Sequence, residues 1–403
     1  MSLDLFHERG TPLARQVFSW KELVPDPISK LDDDAFTRVR LILMHGVEQD
    51  ACRFKHILSR AIHPDLRLSL AAVRRVEHHQ ATLINWMQPA DQSPLETTIG
   101  YEQTAIEVTA YVARVEPDPY IAQVHRFGML EDFDHLYRFA ALMDRVEGKD
   151  ANAILQSYTD ISPGRATAVE HRAPQDDLRR WYDRERAAPL TKIHAALLTG
   201  SEYQTRDYYL TIGPTFADPV ARQLYAEIAS IEEQHVTQYQ SISDPDETWI
   251  EKWLVHEAME AYAYWSCLTY ERNPRVRAIW ERFLDYELEH LRIAREVFEQ
   301  VEGRDPASVI PTSLPDPLGF ISHRKFVRQV LANEVDLRTN GTEFVPSSAE
   351  SKASQDYRAR MNRDGSPSES VAAGYRWSPG TELTSLLIPE ESTNLLFKRA
   401  SGA

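Results

Sequence analysis

The sequence predicts an all-α protein: two tandem four-helix bundles followed by an extended C-terminal tail. Three observations predict it. Glycine is scarce, at 15 of 403 residues, and apolar residues recur at steps of three and four, as in Leu66, Leu70, Val73 and Ile84 or in Ile279, Phe283, Ala294 and Val297. No convincing run alternates with the period of two that a strand requires. The chain also matches itself when slid by 155 residues. Pro64 meets Pro219, Glu77 meets Glu232, Glu102 meets Glu257, Pro119 meets Pro274 and His135 meets His290. Val146-Glu147-Gly148-Lys149-Asp150 meets Val301-Glu302-Gly303-Arg304-Asp305.

Each element follows in order. Residues 1–34 read as an N-terminal extension. A first bundle spans 35–148, with helices near 35–62, 64–88, 94–115 and 119–146. Pro64 and its counterpart Pro219 suit a first helical turn, and Gly148 and Gly303 suit helix C-caps. A charged linker, 149–188, contains Ser162-Pro163-Gly164. A second bundle spans 189–305, with helices near 189–212, 219–242, 248–271 and 274–301. Residues 306–403 form the tail. It has a Pro-rich start, room for one more helix at 321–338, and then a Ser-, Gly- and charge-rich stretch that reads as extended and partly disordered, or as a strap across the bundles. A short apolar patch, Leu383 to Leu387, interrupts it, and the apolar and basic segment Leu395-Leu396-Phe397-Lys398-Arg399 could dock onto another protein or a shell.

Composition narrows the function. Lys and Arg number 45 against 61 Asp and Glu, a formal charge of −16. That argues against a nucleic-acid backbone or an anionic membrane as partner. No apolar run is long enough to span a bilayer. The first nine residues lack the basic and apolar regions of a signal peptide, so the expected location is the cytoplasm. Two cysteines, Cys52 and Cys267, exclude a disulfide scaffold, a four-cysteine zinc site and an iron–sulfur ferredoxin.

The second unit places acids and histidines at matching heights. Glu232/His235 and Glu287/His290 are Glu-x-x-His motifs, whose i and i+3 side chains share a helix face and can grip one metal ion. The other two helices carry Glu202 and Glu257, each 30 residues before the motif glutamate of its hairpin (232 − 202 and 287 − 257). Four glutamates and two histidines at one height match the ligand set of a dimetal carboxylate site in a four-helix bundle. Glu260, one turn past Glu257, is a possible extra ligand. The motif count alone decides nothing, because about two acid-x-x-His matches arise by chance at this composition. Burial decides more: these acids lie within apolar stripes, and uncompensated carboxylates in a core would repel and be costly. Oxygen donors with one imidazole per ion and no thiolate suit iron or manganese. The first unit repeats the pattern as Glu48, Glu77, Glu102, Asp132 and His135. Gln80, however, stands where His235 stands, and His78 and His79 point elsewhere. It reads as a degenerate second site that either keeps some metal or has lost it.

The order Glu, Glu-x-x-His, Glu, Glu-x-x-His over four helices resembles the ferritin-like superfamily, especially its rubrerythrin and bacterioferritin branch. The resemblance covers somewhat over half the chain. It implies a non-haem di-iron centre, or an iron/manganese or manganese pair, in the second bundle that activates dioxygen or hydrogen peroxide. Metal in the first bundle is a further possibility. No Cys-x-x-Cys pair is present to bind a rubredoxin-type iron, so electrons would come from an external donor, from iron(II) or from the substrate. Bundles of this kind often pair, which makes a homodimer possible. Aromatics near the site (Tyr203, Tyr208, Tyr209, Tyr239, Tyr262, Tyr264, Trp265 and Tyr286) could relay electrons or shape a pocket, or simply pack. The leading expectation is an oxidase, oxygenase or peroxidase. The alternatives are an iron-binding ferroxidase without an organic substrate, and a metal-free helical scaffold whose acidic surface meets a basic partner.

Overall fold

Helix boundaries follow local chemistry. In the computed structural model, which describes residues 2–314 and 316–378, a one-turn helix α1 (Trp20–Leu23) is followed by α2 (Ala35–Ala61), α3 (Arg67–Trp86), α4 (Pro94–Val115) and α5 (Pro119–Glu147). After a short α6 (Asn152–Leu155) come α7 (Pro189–Ile212), α8 (Pro219–Gln240), α9 (Trp249–Tyr270) and α10 (Pro274–Glu302). Asp34, Ser93, Asp118, Asp218, Thr248 and Asn273 cap helix N-termini through their side chains. Gly148 and Gly303 end α5 and α10 at φ +62° and +64°, the left-handed C-cap expected of them. Pro64 opens a 3₁₀ turn that leads into α3.

The body is all-helical and holds two four-helix bundles, but they are not the two sequence units. Each unit folds as two antiparallel hairpins, α2–α3 with α4–α5 and α7–α8 with α9–α10. The hairpins are exchanged. One bundle is α2, α3, α9 and α10; the other is α4, α5, α7 and α8. Side chains show the pairing. Gln80 of α3 bonds Glu287 of α10 at 2.8 Å, and His135 of α5 meets Glu232 of α8 at 3.1 Å. The buried apolar residues form two clusters. One joins α2 and α3 to α9 and α10 and reaches into α4, α5 and α7, and the other joins α4 and α5 to α8. The expected boundaries 35–148 and 189–305 therefore mark repeats, not bundles. Residues 87–93 and 241–248 link the hairpins of each repeat. Links of seven and eight residues span at most about 25–29 Å, too short to run back along a 20-residue helix of roughly 30 Å. The bundles abut along α2 and α7, where Gln204 Nε2 lies 2.8 Å from His45 Nδ1.

The segments before α2 and α7 are arms laid in grooves. Gly10 lies so close to α10 that a Cβ there would fall 2.3 Å from the Asp285 carbonyl. Gly164, 154 residues later, meets α5 in the same way, 2.6 Å from the Leu130 carbonyl. Residues 149–188 are thus the second repeat's arm as well as a linker, and 1–34 is the first repeat's arm. Of the tail, 306–378 is a strap over the bundles. Ser313–Leu314 (β2) pairs antiparallel with Leu3–Asp4 (β1). Next come α11 (Arg324–Glu334), the hairpin Leu337–Asn340 (β3) with Glu343–Pro346 (β4), α12 (Lys352–Met361) and α13 (Pro367–Ala372). The helix expected at 321–338 stops at Glu334, because Asn340-Gly341, with Gly341 at φ +58°, makes a tight turn that recruits Leu337–Asn340 as a strand. The segments at 383–387 and 395–399 lie outside the described residues. Among the described residues, no helix is long and apolar enough to cross a membrane.

The exchange makes a prediction. Produced separately, residues 1–148 and 149–403 should each lack a cooperative thermal transition by circular dichroism as monomers. Co-expressed, they should co-purify one to one and regain it. A half that folds as a stable monomer would contradict the exchanged assembly.

Candidate metal centre

The six ligands expected in one bundle do not converge. Glu202, Glu232 and His235 lie with residues of the first repeat, and Glu257, Glu287 and His290 lie in the other bundle. The reason is the hairpin exchange: each bundle draws one hairpin from each repeat. The residues assigned to a degenerate first site divide likewise. Glu102, Asp132 and His135 join Glu202, Glu232 and His235, whereas Glu48 and Glu77 join Glu257, Glu287 and His290.

The bundle of α4, α5, α7 and α8 therefore carries the whole set: a Glu on α4, Asp-x-x-His on α5, a Glu on α7 and Glu-x-x-His on α8. Its ligand atoms form two overlapping quartets. One is Glu102, Asp132, His135 and Glu232; the other is Asp132, Glu202, Glu232 and His235. Within each quartet the atoms lie within 4.8 Å of one another. Asp132 and Glu232 are common to both. All six residues are buried. His135 Nδ1 is 3.1 Å from Glu232 Oε1, and His235 Nδ1 is 3.0 Å from Glu232 Oε2 and 3.2 Å from Asp132 Oδ1. Glu102 Oε2, Glu202 Oε2 and Asp132 Oδ2 make no hydrogen bond to protein. Buried carboxylate oxygens without donors are rare, and converging ones fit a cation. These groups could hold metal ions.

The surrounding groups orient the imidazoles. His135 Nε2 lies 2.9 Å from Glu170 Oε2, and His235 Nε2 lies 2.8 Å from Glu131 Oε2. With each Nε2 engaged by a carboxylate, Nδ1 faces the centre, the carboxylate–histidine arrangement common around metals. Glu131 is gripped by Arg172 at 2.7 and 3.0 Å and by Arg165 at 3.3 Å. Although burial opposes ionisation, these arginines and His235 hold the Glu131 carboxyl well below the usual range. Tyr209 Oη donates to Glu102. Protons distribute accordingly. Burial pushes Glu102, Glu202 and Asp132 up. Burial also opposes protonation of His135 and His235, yet Glu170 and Asp132 respectively hold these imidazoles protonated well above their ordinary range. Burial raises Glu232 too, but hydrogen bonds from both histidines bring it down to about 2. Glu131, Arg165, Glu170 and Arg172 were not anticipated from sequence. One signal was present: Gln16, 154 residues before Glu170, bonds His290 Nε2 at 2.8 Å in the other bundle. The arms repeat as the helices do.

The bundle of α2, α3, α9 and α10 has the equivalent acids, Glu48, Glu77, Glu257 and Glu287, with His290 on Glu287 at 3.1 Å. Ligand atoms of Glu77, Glu257, Glu287 and His290 also lie within 4.8 Å of one another, but here a lysine stands among the acids. Lys55 Nζ contacts Glu77 and lies 2.8 Å from Glu257 and 3.6 Å from Glu260. Gln80 Nε2 donates to Glu48 at 3.0 Å and to Glu287 at 2.8 Å. Glu260, expected as an extra ligand, instead sits 3.4 Å from His256 Nδ1 and beside Lys55. Burial raises Glu77 to about 8 even with Lys55 beside it. Position 55 corresponds to 209 at the offset of 154 that relates α2 to α7. Tyr209 reaches Glu102 where Lys55 reaches Glu257, the counterpart of Glu102. The clusters thus differ by Lys55 for Tyr209 and Gln80 for His235, and also by Glu287 for Asp132, Glu260 for Ala105 and Gln16 for Glu170.

Of the aromatics singled out, Tyr209 and Tyr239 border the complete cluster and Tyr264 donates to Glu48 in the other. Tyr208 stacks on Tyr101, Tyr203 lies under Arg53 and Arg206, and Tyr262, Trp265 and Tyr286 pack within the other bundle. Compared with protein-family models, curated proteins and solved structures, the chain finds no match in any of the three.

Removing Lys55 leaves buried carboxylates without their cation. In the presence of a chelator, Lys55→Ala should lower stability by about 3–5 kcal/mol, the cost of breaking a buried ion pair. Tyr209→Phe should lower it by only about 1 kcal/mol, the loss of one neutral donor. Urea denaturation followed by circular dichroism measures both.

Proposed function

We propose that the chain is a ferritin-like dimetal oxidoreductase that uses dioxygen or hydrogen peroxide at a single centre of iron, manganese or one of each. The observation that carries this reading is the pair of overlapping quartets that share Asp132 and Glu232. It is the layout needed for two ions: Glu102 with His135 for one, Glu202 with His235 for the other, and two carboxylates between them. When bound, a pair of iron(II) ions supplies two electrons to dioxygen or peroxide. The chain's own residues do the rest. Glu170 and Glu131 keep His135 and His235 facing inward, Arg172 and Arg165 keep Glu131 ionised, and Tyr209 fixes the rotation of Glu102. Burial of all six ligands excludes bulk water. The Glu170 carboxyl, raised by burial to about 8 and 2.9 Å from His135 Nε2, offers a site for a proton that leaves His135 when metal binds. An external donor would return the electrons, and pairing of two chains is compatible with the scheme.

A second reading, oxidation of iron(II) itself with no organic substrate, has one observation in its favour. The ligands are almost fully enclosed, and the cavity of about 490 Å³ between α2, α7 and α9 is lined by none of them. Both readings require the same centre and differ in product.

Protein loaded anaerobically with iron(II) and desalted should carry about two irons per chain by plasma mass spectrometry, the number the two quartets allow. Glu232→Ala should lose both, because Glu232 is shared. Glu287→Gln, in the lysine-bearing bundle, should keep both. Lys55→Tyr with Gln80→His copies Tyr209 and His235 and should raise the content towards four, the count for two complete centres. Oxygen uptake by the loaded parent, absent in Glu232→Ala, tests the oxidoreductase part. Full metal content in Glu232→Ala would overturn the assignment.

A further inference from the structure

A cavity of about 490 Å³ opens beside the metal-bearing bundle, between α2, α7, the start of α9 and the arm before α7. That volume suits a small organic molecule. The cavity shares no residue with the metal centre. On α7 it is lined by Lys192, Ala196, Thr199 and Tyr203, which centre roughly 90° around the helix from Glu202 at 100° per residue.

Its walls are flat rings. Phe54, Tyr182, Tyr203, Trp181 and Trp249 all face it. Trp181 is 61% exposed and Trp249 45% exposed. Two half-bare indoles at one concave mouth offer stacking faces to a planar ligand. Phe54 lies parallel to His256 with ring centres 5.4 Å apart, which stiffens the wall.

The charges in the cavity are unbalanced. Both acids are already engaged: Asp50 meets His256 Nε2 at 3.2 Å, and Glu247 accepts the Tyr182 hydroxyl at 2.8 Å. Lys192 is 3.4 Å from Glu251. Arg53 pairs with Asp207 through Nη2, but its buried Nη1 has no hydrogen-bond partner. Lys252 makes no ion pair among the described residues, and its ammonium stands 5.8 Å from the centre of the Trp249 ring. Two cationic groups therefore keep donor capacity, next to aromatic faces and with no free acid opposing them.

We propose that this cavity binds a flat aromatic acid. Its rings lie against Trp181 and Trp249, and Lys252 and Arg53 receive its negative charge. The site is separate from the metal centre, and its test does not depend on metal content. The probe is naphthalene-2-carboxylate, compared with the neutral naphthalene-2-carboxamide. Binding is read by isothermal titration and by quenching of tryptophan fluorescence on the intact chain. One site per chain is expected, with the carboxylate bound about 10-fold more tightly than the amide, as one charge-assisted hydrogen bond gives. Lys252→Gln should reduce that preference to about 2-fold or less while leaving the amide unchanged. Trp181→Ala should weaken both probes by about 10-fold, the loss of a stacked ring. Both side chains are partly exposed, so the variants should keep the parent's melting temperature, which is the check on folding. Absence of saturable binding would overturn the proposal. So would equal affinity for the two probes, a carboxylate preference that survives Lys252→Gln combined with Arg53→Gln, or indifference to Trp181→Ala.

Discussion

Carboxylates inside helical bundles must be met by cations, and this constraint organises the whole molecule. Glu48, Glu77, Glu257, Glu260 and Glu287 fill the middle of one bundle, and Glu102, Asp132, Glu202 and Glu232 fill the middle of the other, all buried. An unpaired carboxylate in such a place is costly. The first bundle meets the demand with Lys55 and the amide of Gln80. The second has two imidazoles and no lysine, and several carboxylate oxygens are left without donors. Carboxylate oxygens without donors remain in the first bundle too, but there a lysine already stands among the acids, whereas the second has no built-in cation besides its histidines.

The hairpin exchange gives that asymmetry its form. Each repeat contributes one hairpin to each bundle, and each repeat's arm crosses to the histidine of the other: Gln16 to His290, and Glu170 to His135. The two halves are therefore bound through two apolar cores, two arm contacts and the Arg40–Glu271 pair, and neither core closes without both repeats. The strap adds further joins. The hydrogen bonds of Ser366 and Ser368 to Glu227, and of His323 to Glu107, bind it to helices of both repeats.

Much of this was legible in the sequence, and what was not has a physical cause. Helix ends were marked by local chemistry that acts within a few residues: prolines at first turns, Asp or Ser caps, and Gly148 and Gly303. The ligand-bearing positions showed in the spacing of 30 and in acids set among apolar residues. Which hairpin meets which was hidden, because both partners present the same pattern of acids at the same height. The six residues named from the second repeat were consequently divided between two clusters. Lys55 escaped notice because a lysine in an amphipathic helix is nearly always solvated; only the fold brings it beside Glu77 and Glu257. The β3–β4 hairpin had a signal, Asn340-Gly341, that was outweighed by the polar composition of the tail.

Equivalence between the bundles also explains how one chain can hold both kinds of core. Lys55 and Gln80 lie on the same hairpin, α2–α3, and that hairpin contributes nothing to the complete centre. Changes there neutralise one cluster without touching Glu102, Asp132 and His135, which sit on the other hairpin of the same repeat. Had each repeat closed its own bundle, the lysine and glutamine would share a core with Asp132 and His135, and all the ligands of the second repeat would meet in one core. Exchange separates the residues of a repeat into two environments. One then holds a lysine among its carboxylates, while the other holds two imidazoles and no lysine.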